Sequence, residues 1–513
     1  MLFLALFLTT VAQVVVIVRS PVVNRDAFVF TRIARQLAIA PAAAIQEHDQ
    51  HPGFPALVLA GRKLALLFTG DAGVKPWVLG GVMASACSGL LAVLALWLLA
   101  RRLFDARVAG ISAILMAVLP LLRDNAADMR SDSPHLSLYL LAAWLLVEGW
   151  QRNRLAWFAA AGAASAMAFW VRPEGLSVAI VGGTCLAFVA LRRRSMRHAA
   201  ACALLALTAL ALCLPYWTTK GRFTSKKDFR LLVTDTVPGP VTPPPAPLKR
   251  IEPPPAPIPP PRPSLARLGY AVALLGFRIA SELRYWLLVP LGMGLLARSA
   301  PRARRDAGKL VAVLLCFHAI LLLALYLVAD YLGPRHVMVI VALALPWAAA
   351  GYVALSEALV RVWRRVSSRP APRTGVVLAL LLAAYVVCYA PRALRPLHPE
   401  RAHLAPAIQW LDRHARERTI LTNSEYICFY ADSPCDLAED DEVLIRHLLS
   451  SPGAYGFVIL DVSRPPFPPA HRGALHQAGY LPASGHSIPS EKKRHVLILD
   501  ASSTPPRLTR SAR

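Results

Sequence analysis

The sequence predicts an α-helical polytopic membrane protein that carries a small α/β domain at its C-terminus. Hydrophobic residues make up 56% of the 513 residues, and the mean hydropathy is +0.47. Apolar blocks recur along residues 1–390, and each is close to the roughly twenty residues that a helix needs to cross a bilayer. Residues 391–505 instead alternate short apolar runs with helical patterns, which is typical of an α/β domain.

The apolar blocks predict about eleven transmembrane helices. The first covers residues 1–18. Because no basic residue precedes it and no small-residue cleavage site follows it, we interpret it as a retained helix rather than a signal peptide. The others cover residues 77–100, 108–122, 134–149, 155–171, 175–191, 198–217, 270–297, 309–329, 337–357 and 374–390.

The basic residues predict how the chain crosses the membrane. Arginine-rich loops at residues 101–107, 152–154, 192–197, 298–309 and 361–373 alternate with acidic, long or nearly uncharged loops. The positive-inside rule makes the arginine-rich side cytoplasmic, so the N-terminus is cytoplasmic and the C-terminal domain is extracytoplasmic. These loops account for much of the net charge of +26. Because aromatic residues do not interleave with the basic clusters, we exclude nucleic acid as a partner.

Two outer loops and the C-terminal region are long. Residues 19–76 form the first outer loop, and their stretch 54–69 is apolar enough to lie on the membrane or dip into it. Residues 218–269 contain proline runs that predict a polyproline II spacer rather than a ligand for a signalling domain.

The C-terminal domain, residues 391–505, is predicted from five segments. Residues 405–414 and 441–449 have helical patterns, residues 419–422, 456–461 and 494–500 read as buried strands, and residues 506–513 are expected to be disordered. Cys428 and Cys435 lie in an oxidising compartment on this topology, so a disulfide is compatible with their position, although sequence spacing does not test its geometry.

Charged residues near membrane depth on the outer side are candidates for function, because such residues are costly to keep there. Asp26 lies in the first outer loop, soon after the first helix, where its carboxylate could act as a general base on an acceptor. A solvated acid paired with Arg25 is the alternative interpretation.

A second group follows the third predicted span. Asp124, Asp128, Arg130 and Asp132 could bind a cation or position an acceptor, and Asp128 and Asp132 would share a face if this segment is helical. The alternative is a polar cap, with Ser131 or Asp132 starting the next helix ahead of a proline.

Two further outer turns carry arginine. Arg172 and Glu174 lie in an Arg-Pro-Glu-Gly turn, where they could simply pair, and Arg335 and His336 open a late span. An arginine suits a phosphate because its planar fork matches the phosphate oxygens, whereas snorkelling at the interface is the alternative for Arg335.

A histidine- and acid-rich stretch in the first outer loop has the residue types of a metal site. It contains Glu47, His48, Asp49 and His51, but it lacks the paired histidines, four residues apart, of helical zinc sites. We therefore keep Glu47, His48 and Asp49 only as weak metal candidates.

At these positions the sequence resembles the GT-C membrane glycosyltransferases, in the glycosyltransferase family 39-like branch. This branch holds the protein O-mannosyltransferases and the lipid A aminoarabinose transferase. The resemblance covers residues 1–360 and rests on Asp26, His51-Pro52-Gly53-Phe54-Pro55, Arg130-Ser131-Asp132, the Arg172–Gly175 turn and Arg335. Many relatives have two acids where Asp26-Ala27 stands, His-Pro-Pro where Gly53 follows Pro52, and Arg-Tyr at Arg335-His336.

The resemblance implies a GT-C-like fold and inverting transfer of a sugar from a polyprenyl-phosphate donor to an acceptor at the outer face. Asp26 would be the general base, and Arg335, Arg172 and Arg130 would bind the donor phosphate. Asp132, His51, Glu174 and His336 would position donor or acceptor. No cofactor is required, although a divalent cation is compatible.

The expected partners are the donor, membrane lipids and a glycan, lipid or protein acceptor. The Ala-, Arg- and Pro-rich composition suggests a bacterial inner membrane and undecaprenyl phosphate as carrier.

Two other functions stay open. A lipid or sugar transporter or flippase predicts ionisable residues inside helices and an internal repeat. The mid-span charges are few, mainly Arg278, Glu282 and Arg284, and the sequence shows no clear repeat. A non-catalytic assembly or sensor protein predicts that Asp26 and Arg335 are dispensable.

Overall fold

The chain folds into two compact units. The computed structural model describes residues 1–69, 73–224, 265–296, 302–414, 418–431, 433–438, 443–444, 446, 454–461, 481–489 and 495–500. One unit, here called the helical unit, comprises Met1–Val14, Ile33–Leu57 and Ala84–Leu394, and the other, the sheet unit, comprises Val15–Arg32, Val58–Met83 and Arg395–Arg513. The predicted domain limits at residues 390 and 505 stay a prediction.

Helices dominate the chain up to residue 394. They are α1 Leu2–Arg19, α2 Asp26–Ile39, α3 Pro41–Glu47, α4 Gly53–Thr69, α5 Lys75–Leu103, α6 Ala106–Val118, α7 Pro120–Ala126, α8 Asp132–Arg152, α9 Leu155–Val171, α10 Ser177–Arg193, α11 Met196–Lys220, α12 Leu265–Glu282, α13 Leu288–Leu296, α14 Arg302–Ala329, α15 Met338–Val366 and α16 Thr374–Ala393. Short 3-10 turns at Pro173–Leu176 and Pro334–Val337 lead into α10 and α15.

The prediction of a polytopic membrane protein is confirmed. Seven helices within the described ranges are long and apolar enough to cross a membrane, or eight if the bent pair α6–α7 is counted as one span. The count of eleven stays a prediction, since a helix stands at each predicted span but some of these helices are short or broken.

Two predicted spans are not single helices. Residues 108–122 were expected as one span, but α6 and α7 meet at an angle of 65°. Leu119 is extended there because the ring of Pro120 disfavours helical geometry in the residue before it. Residues 270–297 break into α12 and α13, and between them Arg284 and Tyr285 have φ angles of 57° and 58°.

The first outer loop contains more regular structure than the sequence pattern alone indicated. Its residues form α2, α3 and α4, and the apolar stretch 54–69 lies in α4. That this stretch contacts the membrane stays a prediction. Residues 225–264, which hold the proline runs, lie outside the described residues.

The sheet unit contains a mixed five-stranded sheet, so the predicted small α/β domain is confirmed. Its strands are β1 Ile420–Thr422, β2 Cys435–Leu437, β3 Phe457–Asp461, β4 Leu481–Pro489 and β5 His495–Asp500, in the order β2-β1-β3-β5-β4. Strand β1 is parallel to β2 and β3, whereas β5 is antiparallel to β3 and β4.

The sequence located three of these strands and one of the helices. The prediction missed β2, β4 and the helix α18 Glu425–Tyr430, while the helix at 405–414 is present as α17. The predicted helix at 441–449 falls mostly, and the predicted disordered residues 506–513 entirely, outside the described residues. The disulfide between Cys428 and Cys435 is present, with the two Cα atoms 5.5 Å apart.

A contact between α13 and α15 offers a stability test of the helical unit. A Cβ atom added at Gly294 would overlap the Trp347 carbonyl, whereas a Cβ at Gly292 in the same helix meets no atom within 4 Å. We expect Gly294→Leu to destabilise the protein by about 2 kcal/mol or more, measured by thermal unfolding in detergent. Gly292→Leu is the matched control and should unfold at or above the wild-type temperature, because leucine favours helix. Equal unfolding temperatures for the two variants would contradict this packing.

Candidate active site

The turn between α9 and α10 carries the first two candidate residues. Pro173 cannot continue α9, and the chain leaves the helix with Arg172 in an extended conformation. The turn then folds back against α9, because a Cβ at Gly175 would overlap backbone atoms of Ala168 and Phe169. The hydroxyl of Ser165 donates to the Gly175 carbonyl at 2.8 Å, which fixes this turn.

Arg172 is held between two carboxylates. Its guanidinium donates to Asp132, the first residue of α8, and to Glu174 at 3.2 Å. All three side chains are buried, with residue exposures of 9% or less. Burying charges is costly unless they are paired, so this triad fixes the start of α8 against the α9–α10 turn.

Three histidines, a tyrosine and a serine complete what we call the Arg172 cluster: Asp132, His135, Tyr139, Arg172, Glu174, Ser177, His318 and His336. The Ser177 hydroxyl donates to the Tyr139 hydroxyl at 3.3 Å. His135, His318 and His336 all interact electrostatically with Arg172 and Glu174. The Tyr139 ring lies 5.8 Å from that of His135 and 5.7 Å from that of His318. Within the described part of the chain, Nε2 of His135 and Nδ1 of His318 have no hydrogen-bond partner.

The structure therefore brings together four of the predicted site residues and adds others. Asp132, Arg172, Glu174 and His336 meet in one cluster, and the pairing of Arg172 with Glu174 is present. His135, Tyr139, Ser177 and His318 were missed. The signal for the histidines was available, because an ionisable residue inside an apolar helix is a functional candidate by default.

Arg335 and His336 lie in the 3-10 turn that opens α15. Nδ1 of His336 accepts a hydrogen bond from the Gly333 amide at 3.0 Å, which closes the turn. Arg335 is half-buried and precedes the N-terminus of a 29-residue helix. The positive end of the helix dipole and the guanidinium therefore both favour an anion at this turn.

Asp128 and Arg130 form a separate ion pair. Asp128 and Asp132 would share a face only in a helical segment, and residues 127–131 are not helical. Asp128 instead pairs with Arg130 at 3.0 Å. The Ser85 hydroxyl lies 3.2 Å from both the amide and the carbonyl of Arg130. The alternative in which α8 starts at Asp132 is confirmed.

His51 is buried in an aromatic pocket at the end of α11. Its ring stacks on Tyr216 with centroids 4.8 Å apart, and its Nε2 lies 2.8 Å from the Thr224 hydroxyl. Lys220, one turn after Tyr216, donates to the carbonyls of Ile45, Gln46 and His48 at 2.7, 2.7 and 2.8 Å. The last turn of α11 and the residues after it thus fix the segment 45–51.

Close packing explains why glycine stands at position 53, where many relatives have the second proline of a His-Pro-Pro motif. A Cβ at this position would come within 2.6 Å of the Trp170 carbonyl oxygen. The backbone of Gly53 therefore lies directly against the C-terminal end of α9. A larger residue would push this segment away from the turn that carries Arg172.

The weak metal candidates do not form a metal site. Gln36 donates to Glu47 at 2.6 Å, and its amide oxygen lies 2.5 Å from Nε2 of His48. Asp49 is exposed. Among the described residues, no group of three or more His, Cys, Asp or Glu side chains could hold a metal ion.

Asp26 belongs to the sheet unit, where it is the half-buried first residue of α2. The Asn24 side chain accepts a hydrogen bond from the Ala27 amide at 3.2 Å, as an N-terminal cap does. Arg25 forms an ion pair with Glu425 at 2.5 Å. Residues on both sides of Asp26 are therefore fixed by hydrogen bonds.

One protein-family model matches part of the chain. The family model of dolichyl-phosphate-mannose-protein mannosyltransferases matches residues 67–218. No curated protein matches the chain at a significant level of sequence similarity.

Solved structures match over nearly the whole chain. ArnT from Cupriavidus metallidurans in the apo state is 16% identical, with 98% of both chains covered and a TM-score of 0.56. The same protein bound to undecaprenyl phosphate is 14% identical, with 98% of this chain and 99% of that chain covered and a TM-score of 0.57. An oligosaccharyltransferase of Archaeoglobus fulgidus is 13% identical, with coverages of 90% and 68% and a TM-score of 0.53.

The chain has the fold of the GT-C membrane glycosyltransferases. The fold that the resemblance implied is thus confirmed.

The Arg172 cluster predicts a large stability effect. Replacing Arg172 by Met leaves Asp132 and Glu174 buried without their cation, and we expect a loss of about 3–5 kcal/mol. The matched control is Lys309→Met, which removes an exposed partner of Asp306 and should change stability by about 0.5 kcal/mol at most. Thermal unfolding in detergent measures both, and a loss for Arg172→Met no greater than for the control would contradict the buried triad.

The Lys220 contacts predict a local effect. Lys220→Met removes three hydrogen bonds to the segment 45–48, so amide hydrogen exchange over residues 41–52 should rise about tenfold or more. Thr218→Val is the control, because its exposed hydroxyl bonds only to carbonyls of its own helix. Unchanged exchange in Lys220→Met would show that α11 does not fix this segment.

Proposed function

We propose that this protein is an integral membrane glycosyltransferase that moves a sugar from a polyprenyl-phosphate donor to an acceptor at the outer face of a bacterial inner membrane. The observation that carries the proposal is a fold shared with ArnT over 98% of both chains. A second ArnT structure was solved bound to undecaprenyl phosphate, which supports that lipid as the carrier.

The membrane orientation supports an outer-face reaction. The arginine-rich loops predict a cytoplasmic N-terminus, and on that topology the loops that hold Asp26, Asp132, Arg172 and Arg335 lie on the outer side. A polyprenyl tail needs a groove open to lipid, which packed membrane helices can supply. The acceptor is a glycan, a lipid or a protein.

Asp26 is the proposed general base. The acceptor hydroxyl or amine attacks the anomeric carbon while the bond between that carbon and the phosphate oxygen breaks. Asp26 takes the proton of the acceptor, and the polyprenyl phosphate leaves with the bonding electrons. Attack opposite the leaving group inverts the anomeric configuration.

Arg335 is the proposed main ligand of the donor phosphate. Negative charge grows on that phosphate as the bond breaks, and a guanidinium beside a helix N-terminus stabilises it. Arg172 and Arg130 add to the positive potential, but nearby carboxylates already offset their charges. We therefore assign Asp132, Glu174 and His336 to positioning of the donor, and His51 to fixing the first outer loop.

A transporter is the second candidate, because specific observations favour it. His135 and His318 are buried inside the helices α8 and α14, and the α12–α13 pair is a broken helix of the kind found in transporters. A flux of polyprenyl-phosphate sugar across liposomes, without any transfer, would favour this function.

Transfer assays test the proposal. The purified protein is reconstituted with a panel of radiolabelled undecaprenyl-phosphate hexoses and pentoses and a bacterial envelope extract as acceptor. We expect Asp26→Asn to lower kcat by about 100-fold or more with little change in donor KM. Arg335→Met should raise donor KM and lower kcat, and Arg335→Lys should recover part of the loss.

Asp306→Asn is the control, because Asp306 pairs with Lys309 in a predicted cytoplasmic loop and should leave turnover unchanged. Wild-type transfer that survives unchanged in Asp26→Asn would overturn the base assignment. Addition of EDTA to the same assay tests for a divalent cation.

A further inference from the structure

The segment that carries Asp26 is built into the core of the C-terminal sheet. Val22 is 2% exposed and belongs to the same buried cluster as Leu404, Ile420 and Ile498. The Ser20 hydroxyl accepts a hydrogen bond from the Leu397 amide at 2.7 Å. Residues 20–24 are thus part of the sheet domain although nearly 400 residues separate them from it in sequence.

Helix α18, Glu425–Tyr430, contacts residues on both sides of Asp26 in sequence. The Tyr430 hydroxyl accepts a hydrogen bond from the Val23 amide at 3.1 Å, and Glu425 pairs with Arg25 at 2.5 Å. On the other side of Asp26, the Phe28 ring stacks on Phe429 with centroids 4.3 Å apart. Contacts from one short helix therefore flank Asp26 on both sides in sequence.

Helix α18 is itself fixed to the sheet. Ile427 is fully buried in the sheet core, and the disulfide joins Cys428 of this helix to Cys435 at the start of β2. The Arg401 guanidinium lies 4.6 Å from the centre of the Tyr426 ring. The disulfide closes a loop of only a few residues, so it holds α18 close to the edge strand of the sheet.

We propose that α18 positions Asp26 for catalysis, with Glu425, Phe429 and Tyr430 as positioning residues and the Cys428–Cys435 disulfide as the bond that keeps the helix in place. This inference rests on the proposed role of Asp26 as general base. A base must lie within hydrogen-bond reach of the acceptor, and a misplacement of about 1 Å can cost about 100-fold in rate. The C-terminal domain thereby contributes to the rate of transfer and not only to the stability of the fold.

Variants of α18 that leave residues 20–28 unchanged test the proposal; they are the tail variants below. Glu425→Gln removes the partner of Arg25, and Tyr430→Phe removes the acceptor for the Val23 amide. Each single substitution should lower kcat by up to about fivefold. The double variant should lower kcat about tenfold or more, with donor KM within about twofold of wild type. Glu425→Asp keeps the charge and should recover most of the rate lost in Glu425→Gln.

The matched control is Asp412→Asn. Asp412 pairs with Lys75 at 2.6 Å, also within the sheet unit, and both pairs are similarly exposed. This pair does not flank Asp26, so its loss should leave kcat within about twofold of wild type. A double variant of Glu425 and Tyr430 that behaves like Asp412→Asn would overturn the proposal.

Chemical reduction of the disulfide is a second test, because it can be applied to the wild-type protein without a substitution. A reductant should lower kcat of the wild-type protein, leave donor KM unchanged and have no further effect on Cys428→Ser/Cys435→Ser. Unfolding temperature is measured on every sample, and a loss of kcat that only follows unfolding would also overturn the proposal. If the wild type transfers no sugar at all, the proposed function fails. If Asp26→Asn is inactive while the tail variants are fully active, only this inference fails.

Discussion

The buried pairing of Arg172 with Asp132 and Glu174 constrains the rest of the helical unit. A guanidinium and two carboxylates in a mostly apolar bundle are tolerated only while they stay together, since each would otherwise be a buried charge without compensation. The pairing therefore requires the start of α8 and the α9–α10 turn to meet. This α9–α10 turn requires Pro173, which ends α9, and Gly175, which lets the chain pack back against α9.

Neighbouring carboxylates also reduce how strongly an arginine in the candidate site attracts a phosphate. From sequence, Arg335 is the first candidate ligand for a phosphate, with Arg172 and Arg130 as additional candidates. In the structure, Arg172 and Arg130 are each held by at least one carboxylate, so much of their charge is already offset. Arg335 lies in the 3-10 turn that leads into α15, and the N-terminus of that helix adds to its attraction for an anion.

The parts of the fold that depend on local sequence were predictable, and those that depend on packing were not. Apolar length and basic loops predicted the helices, and the short spacing of Arg172 and Glu174 predicted their pairing. The pairing of Arg172 with Asp132 is set by how α8 and α9 pack, which no sequence window contains. The break at Pro120 did have a local signal, because a proline restricts the residue before it.

The surroundings of Asp26, the candidate base, also depend on packing rather than on local sequence. Sequence placed Asp26 in a loop near the membrane, and the structure places it on a helix whose flanking residues are held by α18. That contact joins residues about 400 positions apart, so hydropathy and motifs could not indicate it. The proposed role of α18 in positioning Asp26 rests on these contacts within the sheet unit.

The stereochemistry of transfer tests the central claim most directly. The purified protein is supplied with a polyprenyl-phosphate sugar of known anomeric configuration, and the configuration of the product is read by NMR. A single direct displacement with Asp26 as base predicts a product of inverted configuration. A product with retained configuration, or donor movement across the membrane with no sugar transferred, would contradict it.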